Sequence, residues 1–504
     1  MIKKLSELAL LIPEAQILGD DVEISGIEHD SRKVTAKNLF VCMEGAHVDG
    51  HKFIPQATER GAVAILTTRK DFTPENISAL VVPDMLKALA VIVPYFYDYP
   101  ARAMRVVGVT GTNGKTTTTY MLREIFSAAG FKVGLIGTIQ ILIGDESFPN
   151  PNTTPNVIDL QKIFADMRAK NVQIAVMEVS SHALAENRVA GIEFDTAIFT
   201  NLTQDHLDFH GTMENYLRAK TKLFDMVSRN GRKPNKSAVV NVDDAAGEEI
   251  LRHCHCNKIT YAVENPADLQ AKDMNVKSDG MKLQLGIRNE ELGIKNFSLV
   301  PSPLSLNLHV TGLFNVYNVL AAVGAALAEN ISPEIIKRSP ENFRSVPGRF
   351  ERIFSAAPFE VIVDYAHTPD GVKNVLETAR QIVTGKIITV FGCGGDRDNR
   401  KRPIMGRLAA ELSDVVIATS DNPRSENPEK ILDDVEVGVR EVIGEKFYER
   451  IADRRTAIFR AVELANSGDV VLILGKGHEN YQILNTGTIH FDDREVAREA
   501  IDKL

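Results

Sequence analysis

The sequence predicts an α/β fold arranged in three domains, and two observations predict it. The chain has 504 residues, which is more than one domain of about 150 residues holds. Short apolar runs typical of buried strands alternate with segments of helical periodicity, and this alternation is typical of mostly parallel sheets with crossover helices. Breaks near 99–102 and 339–348 divide the chain, so we predict domains at 1–102, 103–340 and 341–504.

The elements of these domains are predicted in chain order. Leu5, Leu8 and Leu11 recur at helical spacing and predict an amphipathic first helix. A strand at 105–109 leads into a glycine-rich turn and then into a helix-compatible stretch at 116–130. The other runs with the composition of buried strands are 39–42, 62–66, 174–178, 196–200, 238–242, 360–364, 386–391, 414–418 and 469–474.

Composition excludes several classes of function. With 67 acidic and 58 basic side chains the net charge is −9, which offers no broad basic surface to a nucleic-acid backbone. No run of about 20 apolar residues is present that could span a bilayer. The 4 cysteines are too few for a disulfide framework and fit a reducing compartment. We therefore expect a cytoplasmic protein that binds no nucleic acid, and we expect a monomer.

A glycine-rich loop between the strand at 105–109 and the following helix predicts a nucleoside triphosphate site. Glycines let backbone N–H groups face phosphate oxygens at a helix N-terminus. Lys115 would reach the outer phosphates and the Thr116 hydroxyl would ligate Mg²⁺. Gly108 lies six residues before Gly114, where the strict motif has five. The strand–loop–helix context favours this interpretation over a simple glycine turn, although the loop does not decide between ATP and GTP.

Two further side chains follow predicted strands of the same sheet. Glu178 ends one strand and His206 follows the next. Ligands gather at the carboxyl ends of parallel strands, so these groups could hold a second Mg²⁺, although imidazole is an unusual magnesium ligand. The alternative is that His182, His206 and His210 are surface or structural loop histidines.

At this point several motifs resemble those of a known family, the Mur ligases, which are ATP-dependent amide-bond enzymes of peptidoglycan synthesis. The segments GTNGKTT at 111–117, EVSSH at 178–182, DHLD at 205–208 and GLFNVYN at 312–318 carry the resemblance. Further motifs are similar to those of members that extend UDP-N-acetylmuramoyl-L-alanyl-D-glutamate by the third stem-peptide residue. They are DSR at 30–32, NTTP at 152–155, DYAHTP at 364–369, GCGGDRD at 392–398 and GKGHE at 475–479.

The resemblance implies an N-terminal UDP-binding domain, a central ATPase domain and a C-terminal Rossmann-like domain. For ATP it implies contacts from Gly111, Thr112, Asn113, Gly114, Lys115, Thr116, Thr117, Asn315, Asn318, Arg349 and Asp364. For Mg²⁺ it implies Thr116, Glu178, His206 and a carbamylated Lys220, with Lys115, Lys220 and His206 as catalytic residues. For the UDP-sugar dipeptide it implies Ser31, Asn152, Thr153, Thr154, Ser180, Arg188 and Glu186, where the family often has glutamine.

Carbamylation of Lys220 is implied by the resemblance alone. Capping the amine with CO₂ replaces a cation with an anion whose oxygens can ligate Mg²⁺. Without the resemblance, Lys220 has the pattern of a solvated helix lysine.

The segment Asp421-Asn422-Pro423-Arg424 resembles the motif of members that add meso-diaminopimelate, whereas lysine-adding members lack the arginine. A guanidinium pairs bidentately with the distal carboxylate that distinguishes diaminopimelate from lysine. Lysine would leave that arginine unpaired, at a cost of roughly 1–3 kcal/mol. The remaining residues of this implied pocket are Arg397, Gly475 and Glu479.

Other interpretations remain as alternatives. A sister ligase that adds L-lysine or resembles folylpolyglutamate synthetase would share the ATPase core, and a nucleotide-dependent switch would hydrolyse nucleotide without an amine. Nicotinamide binding at Gly392 and Gly394 is disfavoured because Arg397 stands at the third glycine position. A metal cluster at 253–256 is disfavoured because four adjacent residues cannot readily surround one ion. Cys393 is expected to be a small apolar filler.

Overall fold

The structure is a computed structural model that describes the chain except for residues 45–47, 71–76, 229–232, 234–235, 278–279 and 289–302. Its strands form one main sheet in each of the three predicted parts of the chain. All predicted strands occur within a residue or two of their expected positions. Among the described residues, no helix has both the length and the apolar character needed to cross a bilayer.

The N-terminal part has a small sheet in the order β2-β7-β6-β5-β4, which is parallel except for β2. Strands β1 and β3 form a separate pair. The elements are β1 (Lys3–Lys4), α1 (Leu5–Ala9), β2 (Gln16–Leu18), β3 (Glu23–Ile24), β4 (Gly26–Glu28), β5 (Asn38–Val41), α2 (Ile54–Glu59), β6 (Ala62–Thr67), β7 (Ser78–Val81) and α3 (Met85–Phe96). Short 3₁₀ turns lie at Ser31–Lys33, Gly50–Phe53 and Pro100–Ala103.

The middle part contains a large sheet in the order β11-β10-β9-β12-β8-β13-β14-β15-β16-β17-β18. Its elements are β8 (Arg105–Thr110), α4 (Lys115–Ala128), β9 (Val133–Ile136), β10 (Gln140–Ile143), β11 (Glu146–Pro149), α5 (Val157–Ala169), β12 (Ile174–Glu178), α6 (Ser181–Ala185), β13 (Thr196–Phe199), α7 (Leu207–His210), α8 (Met213–Ser228), β14 (Ser237–Asn241), α9 (Gly247–Arg252), β15 (Asn257–Ala262), β16 (Leu269–Lys277), β17 (Gly280–Ile287), β18 (Leu304–Leu308), α10 (Leu313–Ala328) and α11 (Pro333–Asn342). The sheet is parallel from β9 to β16 and antiparallel at both ends.

The C-terminal part has a sheet in the order β19-β20-β24-β21-β22-β23, parallel except for β19, and a separate hairpin of β25 and β26. Its elements are β19 (Glu351–Arg352), β20 (Glu360–Asp364), α12 (Pro369–Ile382), β21 (Ile387–Phe391), α13 (Lys401–Leu412), β22 (Val415–Ala418), α14 (Pro428–Val442), β23 (Phe447–Arg450), α15 (Arg454–Leu464), β24 (Val470–Leu474), β25 (Tyr481–Leu484), β26 (Gly487–His490) and α16 (Asp493–Asp502).

Burial on both faces explains why the central strands are almost continuously apolar. Every residue of β12 and of β24 is buried, because helices cover both faces of a parallel sheet. The order β12-β8-β13 brings the carboxyl ends of these neighbours to one edge. In the C-terminal part β20, β24, β21 and β22 do the same. Loops that follow these strands therefore meet where a ligand can bind.

The second predicted break begins inside a helix. Residues 339–342, which include Pro340, form the last turn of α11. The turn ends at the extended Phe343, and the connection to the C-terminal sheet follows it. The predicted boundary between 340 and 341 thus falls inside a helix, and the limits of the three domains remain a prediction.

Candidate active site

The glycine-rich loop joins β8 to α4, as its motif predicts. Gly111 and Gly114 have φ values of 156° and 85°, which favour glycine. A Cβ atom on Gly111 would lie 1.8 Å from Thr200 Oγ1, and one on Gly114 would lie 2.3 Å from Asn318 Oδ1. The loop backbone therefore packs directly against β13 and α10.

Lys115 folds over this loop. Its Nζ donates hydrogen bonds to the Gly111 carbonyl at 2.9 Å and to the Thr112 carbonyl at 2.7 Å. Burial lowers the pKa of Lys115, while the Glu178 carboxylate opposes the shift. The Lys115 side chain is thus held against the backbone turn at Gly111 and Thr112.

Glu178 supplies an oxygen cluster at the end of β12. Its carboxylate accepts hydrogen bonds from Thr116 Oγ1 at 3.0 Å, from Thr138 N at 2.8 Å and from Thr138 Oγ1 at 3.0 Å. The side chain is fully buried. Carboxylate and hydroxyl oxygens are the ligands that Mg²⁺ prefers, so Thr116 and Glu178 fit a magnesium ion.

Lys220 lies on α8 with only 1% of its surface exposed. Its Nζ donates to the Gly111 carbonyl at 2.8 Å and lies 4.4 Å from the centre of the Tyr216 ring. Burial and then the nearby Lys115 charge lower the pKa of Lys220 well below its usual value. A neutral amine is the form that can react with CO₂, so this environment suits the predicted carbamylation.

His206 lies close to His182, with their ring centres 4.8 Å apart. Its Nε2 is 3.3 Å from Asp205 Oδ2, and burial lowers its pKa to about 4. His210 has a structural hydrogen bond, because its Nε2 lies 2.9 Å from Ser181 Oγ. The alternative of a structural loop histidine therefore fits His210, and the 42% exposure of His206 is compatible with the surface alternative.

A cleft of about 330 Å³, here cleft A, lies between the middle and C-terminal parts. Arg349 from the C-terminal part donates through Nη2 to Thr116 Oγ1 at 3.1 Å. Asp364 accepts from Phe350 N at 2.6 Å, and burial raises its pKa to about 6. The predicted ATP contacts that line cleft A are Asn113, Gly114, Thr117, Asn318, Arg349 and Asp364.

A larger cleft of about 690 Å³, here cleft B, lies beside cleft A. It collects predicted residues from two parts of the chain. Two of its loops are joined because Asn422 Nδ2 donates to Glu479 Oε2 at 2.8 Å and Gln482 Nε2 donates to the Asp421 carbonyl at 2.7 Å. Its predicted lining residues are Asn152, Thr153, His206, Arg397, Asp421, Asn422, Arg424, Gly475 and Glu479.

A third cleft of about 240 Å³, here cleft C, lies between the N-terminal and middle parts and is lined by Asn152, Glu186 and Arg188. Arg188 Nη2 lies 2.6 Å from Glu186 Oε2. Asn152 lines both cleft B and cleft C. The two clefts therefore adjoin at this residue.

Three family models match the chain. The model described as Mur ligase family, catalytic domain, matches residues 23–104, the Mur ligase middle domain matches 109–326, and the Mur ligase glutamate ligase domain matches 348–477. A protein of Clostridium acetobutylicum named UDP-N-acetylmuramoyl-L-alanyl-D-glutamate--2,6-diaminopimelate ligase 1 is 45% identical over 97% of this chain and 97% of its own length. The chain belongs to the Mur ligase family.

Other comparisons agree with this membership. The 2,6-diaminopimelate ligase of Bacillus velezensis is 45% identical to this Mur ligase over 99% of both chains. A solved structure of a UDP-N-acetylmuramoyl-L-alanyl-D-glutamate--2,6-diaminopimelate ligase is 31% identical, with a TM-score of 0.67 over 100% of this chain and 99% of its own. The MurF ligase of Thermotoga maritima, solved with ADP, shares the fold at 20% identity, with a TM-score of 0.66 over 95% and 97% of the two chains.

Several residues predicted for this Mur ligase site lie behind the clefts rather than on them. Thr154 is buried and donates to the Glu178 carbonyl at 2.8 Å, and Ser180 accepts from Ala183 N at the start of α6. Asn315 accepts from Asn318 Nδ2 at 3.1 Å and so orients it. Ser31 and Pro423 are buried, and Ser31 donates to Gln56 Oε1 at 2.6 Å. The remaining roles of these residues stay predictions.

The structure also places residues in the site that were not predicted. Tyr365 and His367 line both cleft A and cleft B. Lys476 is completely buried beneath cleft B, and its Nζ lies 3.2 Å from Glu479 Oε2. All of them stand inside motifs that carried the family resemblance. Their neighbours in those motifs were assigned, but only burial distinguishes these side chains from ordinary loop residues.

Three of the four cysteines lie at position 393 and within residues 253–256. Cys393 is buried against Met405, and burial raises its pKa to about 12, as a small apolar filler requires. Within the described part of the chain, Glu44, Asp49 and His51 form a group of metal-binding residue types. Arg69 donates to Glu44 at 2.9 Å and to Asp49 at 2.8 Å, so one cation offsets part of the charge of these two carboxylates.

Proposed function

We propose that this Mur ligase uses ATP to join meso-diaminopimelate to the D-glutamate γ-carboxylate of UDP-N-acetylmuramoyl-L-alanyl-D-glutamate. The observation that carries the proposal is the presence of Arg424 and Glu479 in one cleft. Cleft B thus offers a guanidinium and a carboxylate to the distal end of an amino acid that has both a carboxylate and an ammonium there. The relatives named for this substrate and amino acid support the same choice.

ATP fits cleft A, because the loop at 111–117 approaches it beside Asn318 and Arg349. Thr116, Glu178, His206 and a carbamylated Lys220 would hold Mg²⁺, whose charge offsets that of the phosphates when it is bound. Lys115 lies in the same loop and stabilises negative charge on the transferring phosphoryl group.

The reaction has two steps. The γ-carboxylate attacks the γ-phosphorus of ATP, which gives an acyl phosphate and ADP. The amine of diaminopimelate then attacks the activated carbonyl carbon, and phosphate leaves. Because the protein mainly positions reactants and stabilises charge, binding three substrates in adjoining clefts supplies much of the rate.

Selection of the amino acid depends on the distal end of cleft B. Arg424 Nη1 donates to the Gly395 carbonyl at 2.7 Å, which fixes the guanidinium. Glu479 would accept a hydrogen bond from the distal ammonium. Lysine lacks the second carboxylate, so it would leave Arg424 without an anionic partner, at a cost of about 1–3 kcal/mol.

The test is an amine panel of meso-diaminopimelate, LL-diaminopimelate, lysine and ornithine with the UDP-sugar dipeptide, read by mass of the amide product and by phosphate release. We expect the meso isomer to be coupled best. A preference for lysine would favour the sister ligase, and phosphate release without any amine dependence would favour a switch. The Lys115→Ala variant serves as the inactive control and should release no phosphate.

A cytoplasmic location is also part of this proposal. ATP and a UDP-linked sugar are the substrates, and all four cysteines, which lie among the described residues, are free thiols. Free thiols are typical of a reducing compartment. The monomeric state remains a prediction, to be checked by light scattering.

A further inference from the structure

Clefts A and B are separated by a short segment that follows β20. Tyr365 and His367 both line the two clefts, whereas His182, His206 and His478 line cleft B and not cleft A. In the proposed reaction the activated carbonyl forms beside the nucleotide phosphate, and the attacking amine arrives from cleft B. The reacting atoms therefore meet where the two clefts adjoin.

One hydrogen bond fixes the tautomer of His367. Its Nδ1 lies 2.8 Å from the Tyr365 carbonyl oxygen. A carbonyl oxygen can only accept, so Nδ1 carries the proton and the lone pair of the neutral ring is on Nε2. Over the described residues, the structure contains no hydrogen bond to Nε2. Among the described residues, the lone pair of Nε2 therefore has no hydrogen-bond donor.

The surroundings of His367 favour the neutral ring. Burial and then the nearby Lys401 charge lower its pKa, the Asp205 carboxylate opposes this, and Arg349 lowers it further. Lys401 Nζ donates to the His367 carbonyl at 2.9 Å, and the Tyr365 ring centre lies 4.6 Å from that of the imidazole. At neutral pH the ring is therefore a proton acceptor with a defined direction.

We propose that His367 is the general base that accepts a proton from the amine of the incoming amino acid. This inference rests on the proposed function. Two observations support this assignment. Of His182, His206, His367 and His478, His367 lines both clefts. Its Nδ1 is hydrogen-bonded to the Tyr365 carbonyl, which leaves Nε2 as the basic nitrogen. A base of this kind typically contributes about 10²- to 10⁴-fold to the rate.

The substrate ammonium loses two protons as the C–N bond forms and the bond between the carbonyl carbon and the phosphate oxygen breaks. One proton passes to His367 Nε2 and from there to solvent. The other is taken by the departing phosphate, which leaves as hydrogen phosphate. No electron transfer or further reactant is needed.

The decisive variant is His367→Asn. Asparagine keeps an N–H group near the Tyr365 carbonyl but has no basic nitrogen. We expect kcat for diaminopimelate coupling to fall roughly 10²-fold or more. With hydroxylamine, which is already unprotonated at neutral pH, capture of the acyl phosphate as hydroxamate should stay within about threefold of the parent enzyme. His367→Gln should behave alike.

The outcomes separate the alternatives. Equal losses in amide and hydroxamate formation would overturn the assignment, because they would show a structural role or one in the first step. Unchanged amide formation would overturn it as well. If the parent enzyme itself forms hydroxamate but no amide with diaminopimelate, the proposed function fails instead. His490→Asn is the matched control, since His490 lies on the β26 hairpin strand and is 64% exposed.

Discussion

Lys220 in the middle domain and Lys476 in the C-terminal domain are almost completely buried, at 1% and 0% exposure, but their partners differ. Lys220 has a backbone carbonyl at 2.8 Å and the face of Tyr216, and its charge is repelled by Lys115. Lys476 has the Glu479 carboxylate at 3.2 Å, the Asn422 side-chain oxygen at 3.5 Å and the Tyr481 carbonyl.

The difference shows how a partner decides what a buried lysine does. Lys220 has a carbonyl as its hydrogen-bond partner, and burial outweighs the opposing Asp205 charge, so the neutral and chemically reactive amine is favoured. Lys476 instead pairs with Glu479 of its own loop and donates to the Asn422 side-chain oxygen of a neighbouring loop, so it ties two loops of cleft B together. The first arrangement suits chemistry and the second suits the shape of a binding site.

The largest effect should follow from Lys220→Met. Methionine fills similar volume but cannot bind CO₂, so the carbamate oxygens are lost. We expect kcat to fall by about 10²- to 10³-fold, as for other groups that stabilise transition-state charge, with the thermal midpoint unchanged within a few degrees. Lys222→Met on the same helix is the control. A ¹³C signal from labelled bicarbonate that persists in Lys220→Met would contradict this assignment.

A smaller effect, confined to binding, should follow from Lys476→Met. Glu479 would lose the contact that orients its carboxylate towards the distal ammonium, and a hydrogen bond to a charged group is worth about 1.5–3 kcal/mol. We expect KM for diaminopimelate to rise about 10-fold or more while KM for ATP stays constant. Steady-state kinetics measure both. Lys373→Met, at an exposed position on α12, should change neither, and a fall in kcat alone would show that the comparison is wrong.

The double variant Lys476→Met with Glu479→Gln sharpens the same comparison. Glutamine removes the charge that Lys476 neutralises, so the two losses should not add. We expect the double variant to bind diaminopimelate about as well as Glu479→Gln alone. Isothermal titration of the parent enzyme, the two single variants and the double variant gives the coupling energy. Strictly additive losses would mean that Lys476 does not affect diaminopimelate binding through Glu479.

The smallest expected effect is on the free energy of unfolding at acidic pH. Burial, His182 and Lys220 lower the pKa of His210 to about 4. Because the unfolded chain takes up a proton below about pH 6.5 while the folded protein does not, unfolding becomes easier as pH falls from 6.5 towards 4. His210→Gln should remove about 1 kcal/mol of this loss in urea melts. His490 has the opposite sign, since its hydrogen bond to Glu495 raises its pKa, and His490→Gln should increase the loss.

Much of the fold could be predicted because buried parallel strands are apolar along their whole length, as in β12 and β24. The antiparallel strands β16 to β18 were not predicted, since their polar and apolar residues alternate and have no such run. The predicted break near 339–348 begins within α11, because Pro340 is tolerated in the final turn of that helix.

Site residues could be predicted where they belong to a recognisable motif, and less well where only burial in the folded protein distinguishes them. The loop at 111–117 and Arg424 were predicted from their motifs, and Glu178 was predicted from its position at the end of a strand. Lys476 was missed because a lysine between two glycines has the pattern of a solvated loop. Its role depends on two contacts that a sequence pattern does not show. Asn422 lies 54 residues away along the chain, and Tyr481 contributes a backbone carbonyl rather than its side chain.

The contact between Arg349 and Thr116 has a practical consequence for inhibitor design. The guanidinium belongs to the C-terminal domain, yet it donates to a hydroxyl in the first turn of α4 in the middle domain. A compound screened against the middle domain alone would meet a threonine without that donor and a pocket of lower positive charge. Screening campaigns should therefore use the full-length enzyme.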